Sequence, residues 1–239
     1  GNKANSTPIN DVFFDVLPPN LALTEPLNDS HINSVKVSYG NSETLKKGSI
    51  SFTRINGNED PNSPHIIELG GKQLTFGDHF SESFDEITQL KDGSIYKIEF
   101  SGEDLAGNVA KNILINNVTY DTSEPLLSII SPSSNGFYSN IEMAIETNEL
   151  LLSGEIIFEQ DGGVNDPLSP HKIDLSNDQL KIGKHSGIII NTLTSLTANT
   201  VYNVRIEGID IAGNQGVSES IKNITFDNIP PNIAIVSPA

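Results

Sequence analysis

The sequence predicts an all-β chain made of two tandem Greek-key β-sandwiches, and three observations support this. The landmarks occur twice, at a constant offset of 106 residues and without a gap. Tyr96-Lys97-Ile98-Glu99-Phe100 recurs as Tyr202-Asn203-Val204-Arg205-Ile206, and Asp104-Leu105-Ala106-Gly107-Asn108 as Asp210-Ile211-Ala212-Gly213-Asn214. Ser63-Pro64-His65 recurs as Ser169-Pro170-His171, and His79 as His185. Second, the apolar residues alternate with a period near two, as in Val35-Lys36-Val37-Ser38-Tyr39, Ile50-Ser51-Phe52 and Ile66-Ile67-Glu68-Leu69. Alternation of this kind places one face of a strand on a core. Third, clusters of Asn, Gly, Pro, Asp and Ser interrupt these runs every 8–15 residues, the spacing of turns between short strands.

In the first repeat, strands are expected near 20–24, 33–39, 49–55, 65–69, 73–76, 84–89, 94–102 and 109–119, with the same set 106 residues later. The last two flank a turn containing Ala106-Gly107-Asn108 and read as a hairpin. Seven or eight short strands per repeat point to a Greek-key sandwich. Leu90 and Leu196 each stand six residues before Tyr96 and Tyr202. That is the tyrosine-corner pattern, which makes the sandwiches immunoglobulin-like. No stretch supports a helix longer than a turn or two. Asp15, Asp121 and Asp227 each precede a proline (Pro19, Pro125, Pro231) by four residues, which sets the boundaries. Residues 1–15 are expected to be the last strand of a preceding repeat or a tail. Residues 16–121 and 122–227 are the two repeats, and 228–239 start a following one. The period thus describes a piece of a longer tandem array, in which number and spacing carry function.

Composition narrows the function. Thirty-one acidic residues against fourteen basic leave a formal charge of −17, which repels phosphate backbones and anionic lipid and attracts divalent cations. Nucleic-acid partners and membrane insertion are not expected, since no apolar run approaches the roughly 20 residues that span a bilayer. The apolar share of 36% fits a folded chain. The absence of cysteine excludes disulfides and thiol chemistry, which fits either a reducing compartment or an array stabilised by other means.

Taken in series, Tyr-x-Ile/Val-x-Phe/Ile, Asp-x-Ala-Gly-Asn and Asn-Val/Ile-Thr-Tyr/Phe-Asp-x-x-x-Pro resemble the bacterial Ig-like repeats of very large surface-exposed or secreted adhesins. The resemblance covers nearly the whole chain. It implies tandem β-sandwiches that serve as extenders, often with calcium at their ends, some of them acting in adhesion. Many such repeats read Ser-Glu-Pro after the second strand. This chain reads Ser42-Glu43-Thr44 and Asn148-Glu149-Leu150, keeping the glutamate without the proline.

Mapped onto an immunoglobulin-like sandwich, the repeated acids fall at the pole where the chain enters. Asp15 lies in the entry linker, Glu43 in the loop after the second strand, and Asp104 with Asn108 in the last hairpin loop. Asp121, Glu149, Asp210 and Asn214 form the corresponding second set. Grouped carboxylates repel one another, and calcium, which takes 6–8 oxygens, would remove the penalty. The alternative is turn chemistry: an Asx turn at Asp104, a positive φ at Gly107 and a cap at Asp15. The histidine pairs His65/His79 and His171/His185 are either halves of a zinc site or satisfied histidines at strand starts. Asn117-Val118-Thr119 and Asn223-Ile224-Thr225 match a glycosylation sequon, and a strand motif in the same phase accounts for them equally. There is no Gly-x-Ser-x-Gly elbow and no phosphate-binding glycine loop ahead of a helix, so no enzyme is expected.

The expected role is therefore non-enzymatic. The chain reads as stalk repeats of a large bacterial extracellular adhesin-like protein, partnered by neighbouring repeats and stiffened by calcium at the junctions. The alternative is a module that binds a glycan or a cell-surface protein directly. Glycan sites generally need exposed aromatic platforms, and the chain has no tryptophan and five tyrosines, while Phe52, Phe100 and Phe158 sit in core phase.

Overall fold

The computed structural model describes residues 14–86 and 88–234. The expectations for residues 1–13 and 235–239, a preceding tail and the start of a following repeat, lie outside them. The chain divides into two compact units, Gly1–Asp121 and Thr122–Ala239, and each is an immunoglobulin-like β-sandwich.

The first unit holds β1 (Leu21–Glu25), β2 (His31–Ile32), β3 (Lys36–Asn41), β4 (Leu45–Gly57), β5 (His65–Glu68), β6 (Gly77–Ser83), β7 (Ser94–Asp104) and β8 (Ile113–Tyr120). One sheet runs β1-β3-β6, the other β2-β8-β7-β4-β5. The chain changes sheet between β3 and β4, returns between β5 and β6, and crosses again between β6 and β7, which gives the Greek-key connection. The second unit holds β9 (Leu127–Ser131), β10 (Phe137–Tyr138), β11 (Glu142–Thr147), β12 (Leu151–Gly163), β13 (His171–Asp174), β14 (Gly183–Ile189), β15 (Thr200–Asp210), β16 (Gln215–Val217) and β17 (Ile221–Phe226). Its sheets run β14-β11-β9 and β10-β17-β15-β12-β13, with β16 paired to β15. The pairings are antiparallel except for β2 with β8 and β10 with β17, which are parallel. Among the described residues no helix is long and apolar enough to cross a membrane.

Strand β7 shows how sequence phase builds the core. Ser94, Tyr96, Ile98, Phe100, Gly102 and Asp104 all face inward, alternating with partly exposed neighbours. Ile50 and Phe52 of β4 and Val37 and Tyr39 of β3 complete that core. Each fully buried Phe or Ile side chain contributes about 1.5–3 kcal/mol. Strand β15 repeats the phase with Tyr202, Val204, Ile206 and Asp210. In both units the same alternation carries an aspartate inward at the strand end.

Three expected strands are corrected. Residues 73–76 fall in a short 3₁₀ helix, Gly71–Leu74, and the turn after it, and the strand begins at Gly77. The Gly70-Gly71 pair, with Gly71 at φ 56°, favours a tight turn there. No strand is found at 84–86 or 88–89, where the chain leaves one sheet for the other. The last strand begins at Ile113, and Val109 makes a single bridge to Glu103.

The two repeats differ where the entry segment meets the hairpin after the long central strand. In the second, Gly216 lies so close to Pro125 that a Cβ there would stand 2.1 Å from its carbonyl oxygen. Its first-repeat counterpart is Ala110, and there residues 18–21 face Val109, Ala110, Lys111 and Ile113 across an open hollow of about 460 Å³. We predict that Gly216→Ala lowers the unfolding free energy of the second repeat by about 1–3 kcal/mol, the usual cost of overpacking. Hydrogen exchange should quicken at Leu127 and neighbouring β9 amides. An unchanged denaturation midpoint would show that the contact is not needed.

Candidate functional site

The inward phase of β7 ends at Asp104, which is 1% exposed. A buried carboxylate needs donors, and its own loop provides them. Oδ1 accepts the backbone N–H groups of Gly107 (2.7 Å) and Asn108 (2.8 Å), and Oδ2 accepts Asn108 Nδ2 at 2.8 Å. Gly107 holds φ 98°, which a side chain would resist. Burial alone would push the Asp104 carboxyl up, but these bonds outweigh it and hold it below the usual range. Asp104 therefore does form the expected turn. Asn108 also donates to the backbone carbonyl of Asp15 at 3.2 Å, which fixes the entry segment against the hairpin. With its amide N–H groups committed this way, Asn108 serves first to position Asp104.

The same carboxylate takes part in a cluster. Ligand oxygens of Asp15, Glu43 and Asp104 lie within 4.8 Å of one another. They come from the entry segment, the β3–β4 loop and the end of β7, as expected. Asp15 also accepts the Leu17 N–H at 3.0 Å, which is the expected cap. An open hollow of about 380 Å³ lies alongside, lined by Asp15, Glu43, Thr44, Leu105 and Ala106. Glu43 records the crowding, because desolvation, then Asp15, then Asp104 raise its pKa above the ordinary value. Three carboxylates facing one another are a hard, oxygen-only donor set, which fits calcium and does not suit softer metals. Each offers one converging oxygen, leaving further carboxylate oxygens, carbonyls and water to complete 6–8.

In the second unit Asp210, fully buried, accepts the N–H groups of Ala212 and Asn214 on Oδ1 and Asn214 Nδ2 on Oδ2, each at 2.8 Å. Thr147 donates its hydroxyl to the Glu149 carbonyl at 2.9 Å and so shapes that loop. Asp121 is the last residue of the first unit.

The histidines belong elsewhere. His65 opens β5, with Nε2 2.6 Å from Asp60 Oδ2 and Nδ1 3.1 Å from the Thr88 hydroxyl. Tyr96 donates to the same Asp60 oxygen at 2.6 Å and accepts the Lys91 N–H at 2.8 Å. The second unit repeats each partner. His171 lies 2.6 Å from Asp166 and 2.9 Å from Thr194, while Tyr202 donates to Asp166 and accepts the Thr197 N–H. The side chains of Asp166 and His171 are 1% and 5% exposed. The tyrosine corner is thus present, and an aspartate and a histidine lock it. Sequence reasoning missed Asp60 and Asp166, although they recur at the same offset as the histidines. His79 lies in the other sheet, stacked on Tyr39 at 4.7 Å and bonded to the Thr75 carbonyl. His185 binds the Lys181 carbonyl. Among the described residues the histidines do not gather into a metal site. Asn117 and Asn223 hold φ 59° and 57°, and their amides bond Asp29 and Asn135. Backbone geometry accounts for asparagine at both.

No protein-family model matches the chain, and no curated protein matches it. Solved structures with a similar course include the FN1–FN3 domains of chicken CNTN1, at 13% identity and TM-score 0.41, covering 88% of this chain and 69% of that one. The fibronectin(III)-like modules of Clostridium thermocellum CbhA match at 8% and 0.42, covering 91% and 100%. A tetra-tandem repeat from the extending region of a large adhesion protein matches at 15% and 0.28, covering 85% and 49%. The immunoglobulin-like assignment rests on the strand topology itself.

Burial alone would raise the Asp166 carboxyl, but the bonds from Tyr202, His171 and the Leu168 N–H bring it down from 3.8 to about 2. A depressed carboxyl contributes stability above its ordinary pKa, and that contribution disappears as pH falls through the folded value. For Asp166 it amounts to about 2 kcal/mol. Urea midpoints should therefore fall between about pH 4 and 2. Asp166→Asn should lower the neutral-pH midpoint and flatten that acid slope. A slope unaltered by the substitution would contradict the assignment.

Proposed function

We propose that the chain is a pair of extender repeats from a large extracellular, bacterial adhesin-like protein, in which calcium at the entry of each repeat fixes the incoming segment to the sandwich. One observation carries this reading: Asp15 of the entry segment meets Glu43 and Asp104 of two separate loops within 4.8 Å. Turn chemistry explains Asp104 and Asp15 singly, yet it gives no reason for Glu43 to face both. A bound dication would cancel the repulsion among them, and Asp15, Glu43 and Asp104 would hold it. The 106-residue register assigns the same role to Asp121, Glu149 and Asp210. An extender needs repetition, resistance to unfolding and a defined entry angle. The repeated sandwich and the locked corner support the first two, and the anchored entry segment the third.

A ligand that binds only the folded state adds RT ln(1 + [L]/Kd), about 2.7 kcal/mol at a hundredfold excess over Kd. Calcium should therefore raise the melting temperature and a chelator should reverse the rise. Glu43→Gln gives a sharper test through its sign. Without divalent cations it relieves repulsion and leaves melting unchanged or higher, and with calcium it removes the first repeat's gain. A melting curve indifferent to calcium in both proteins would return the acids to turn residues.

A second reading, direct binding of a glycan or protein, is favoured by Phe76 and Phe80. Phe80 lies outward on the edge strand β6 and Phe76 just before it, 74% and 71% exposed. The second repeat has Ile182 and Ser186 at the equivalent positions. If this surface binds, a glycan array or pull-down should give a signal that Phe80→Ser abolishes. A pure extender is silent in both.

A further inference from the structure

The sequence contains two Asn-Gly pairs, Asn56-Gly57 and Asn135-Gly136. Such pairs are chemically labile because a glycine nitrogen, unhindered by a Cβ on its own residue, can attack the preceding side-chain amide. The backbone nitrogen of glycine forms a bond to Asn Cγ, and the Cγ–Nδ2 bond breaks. Ammonia leaves, taking the backbone proton, and a five-membered succinimide remains. Water then adds to either ring carbonyl and opens the ring to aspartate or isoaspartate. The reaction exchanges NH₂ for OH and involves no oxidant or reductant.

The two pairs are equivalent in sequence and unlike in structure. At the end of β4 the Gly57 N–H points at Asn56 Oδ1, with a nitrogen-to-oxygen distance of 2.9 Å. The attacking nitrogen and the side-chain amide are therefore held close together, so a small rotation brings the nitrogen to Cγ. Both residues are exposed, so water can enter and ammonia can leave. A bulge between Arg54 and Asn56 interrupts the pairing of β4 with β7 there, and the Gly57 N–H turns to the side chain.

Asn135 is held apart from its glycine. Its Oδ1 accepts Asn223 Nδ2 at 2.8 Å, and its own N–H bonds the Lys222 carbonyl at 2.9 Å. The Gly136 carbonyl accepts the Thr225 N–H at 2.9 Å. The side-chain amide is tethered to Asn223, and the backbone on both sides of the pair is bonded.

We propose that Asn56 is a site of spontaneous deamidation in the folded protein and that Asn135 is protected. The change has a structural consequence in the first repeat. Arg54 closes this turn, donating to the Gly57 and Asn58 carbonyls at 2.7 Å each. Isoaspartate inserts a methylene into the backbone between residues 56 and 57, displacing the Gly57 carbonyl from Arg54 and the last β4–β7 pair, Gly57 with Ser94.

The test is peptide mapping by mass spectrometry during incubation of the whole chain in mildly alkaline buffer, folded and in parallel in urea. In urea the two Asn-Gly peptides should gain about 1 Da at rates within about twofold of each other, because only local sequence acts. Folded, the Asn56 peptide should react at least roughly tenfold faster than the Asn135 peptide and yield a chromatographically separate isoaspartyl form. Folded rates within twofold of each other, or a lead by Asn135, would overturn the proposal. Asn56→Gln should abolish the early mass gain, and its persistence would assign the gain to another residue and equally overturn it.

Discussion

Each repeat is organised around one buried carboxylate. Asp60, and Asp166 in the second repeat, accepts a tyrosine hydroxyl and a histidine N–H on a single oxygen. The tyrosine comes from the central strand of the larger sheet and the histidine from its edge strand. The histidine's other nitrogen reaches a threonine in the segment that crosses from the smaller sheet. An ionised carboxylate in such a place is tolerated only when fully bonded. With Nε2 donating to the carboxylate, a neutral ring has Nδ1 free to accept the threonine hydroxyl. Sequence order, strand pairing and the crossover are thereby fixed at one point, and any single loss leaves a buried polar group unsatisfied.

The acids at the entry are governed by a different balance. Strand alternation delivers Asp104 and Asp210 inward at the end of their strands, where the apolar core gives out. There the hairpin's N–H groups hold the charge that burial opposes. The loop bonds keep Asp104 ionised and fixed in place, and Oδ2, which accepts one bond where Oδ1 accepts two, is the oxygen with room for a further partner. Glu43 is the member that the turn does not explain, and desolvation, then Asp15, then Asp104 raise its pKa.

Much of this was legible in the sequence because it follows from repetition and period. The 106-residue offset, the alternation in β4, β7 and β15, and the convergence of Asp15, Glu43 and Asp104 all rest on rules that act locally or through known topology. What escaped has physical reasons. The pairs His31–Ile32 and Phe137–Tyr138 are parallel strands too short to show a period. Residues 84–89 read as a strand through Phe84 and Ile87 between polar neighbours, yet Phe84 is buried in the crossing segment. Gly70-Gly71 turned an expected strand into a 3₁₀ helix. Asp60 and Asp166 look like any loop acid, and only their recurrence at fixed distance from His65 and His171 marks them. Phe76 and Phe80 are exposed although phenylalanine in an alternating chain is expected in the core.

The central claim is that the entry acids form a cation site. Equilibrium dialysis of the intact chain against radioactive calcium tests it most directly, with Glu43→Gln beside it. The account predicts one ion per repeat in the parent chain and loss of the first repeat's ion alone in the variant. No bound calcium, or equal binding by the two proteins, would contradict it.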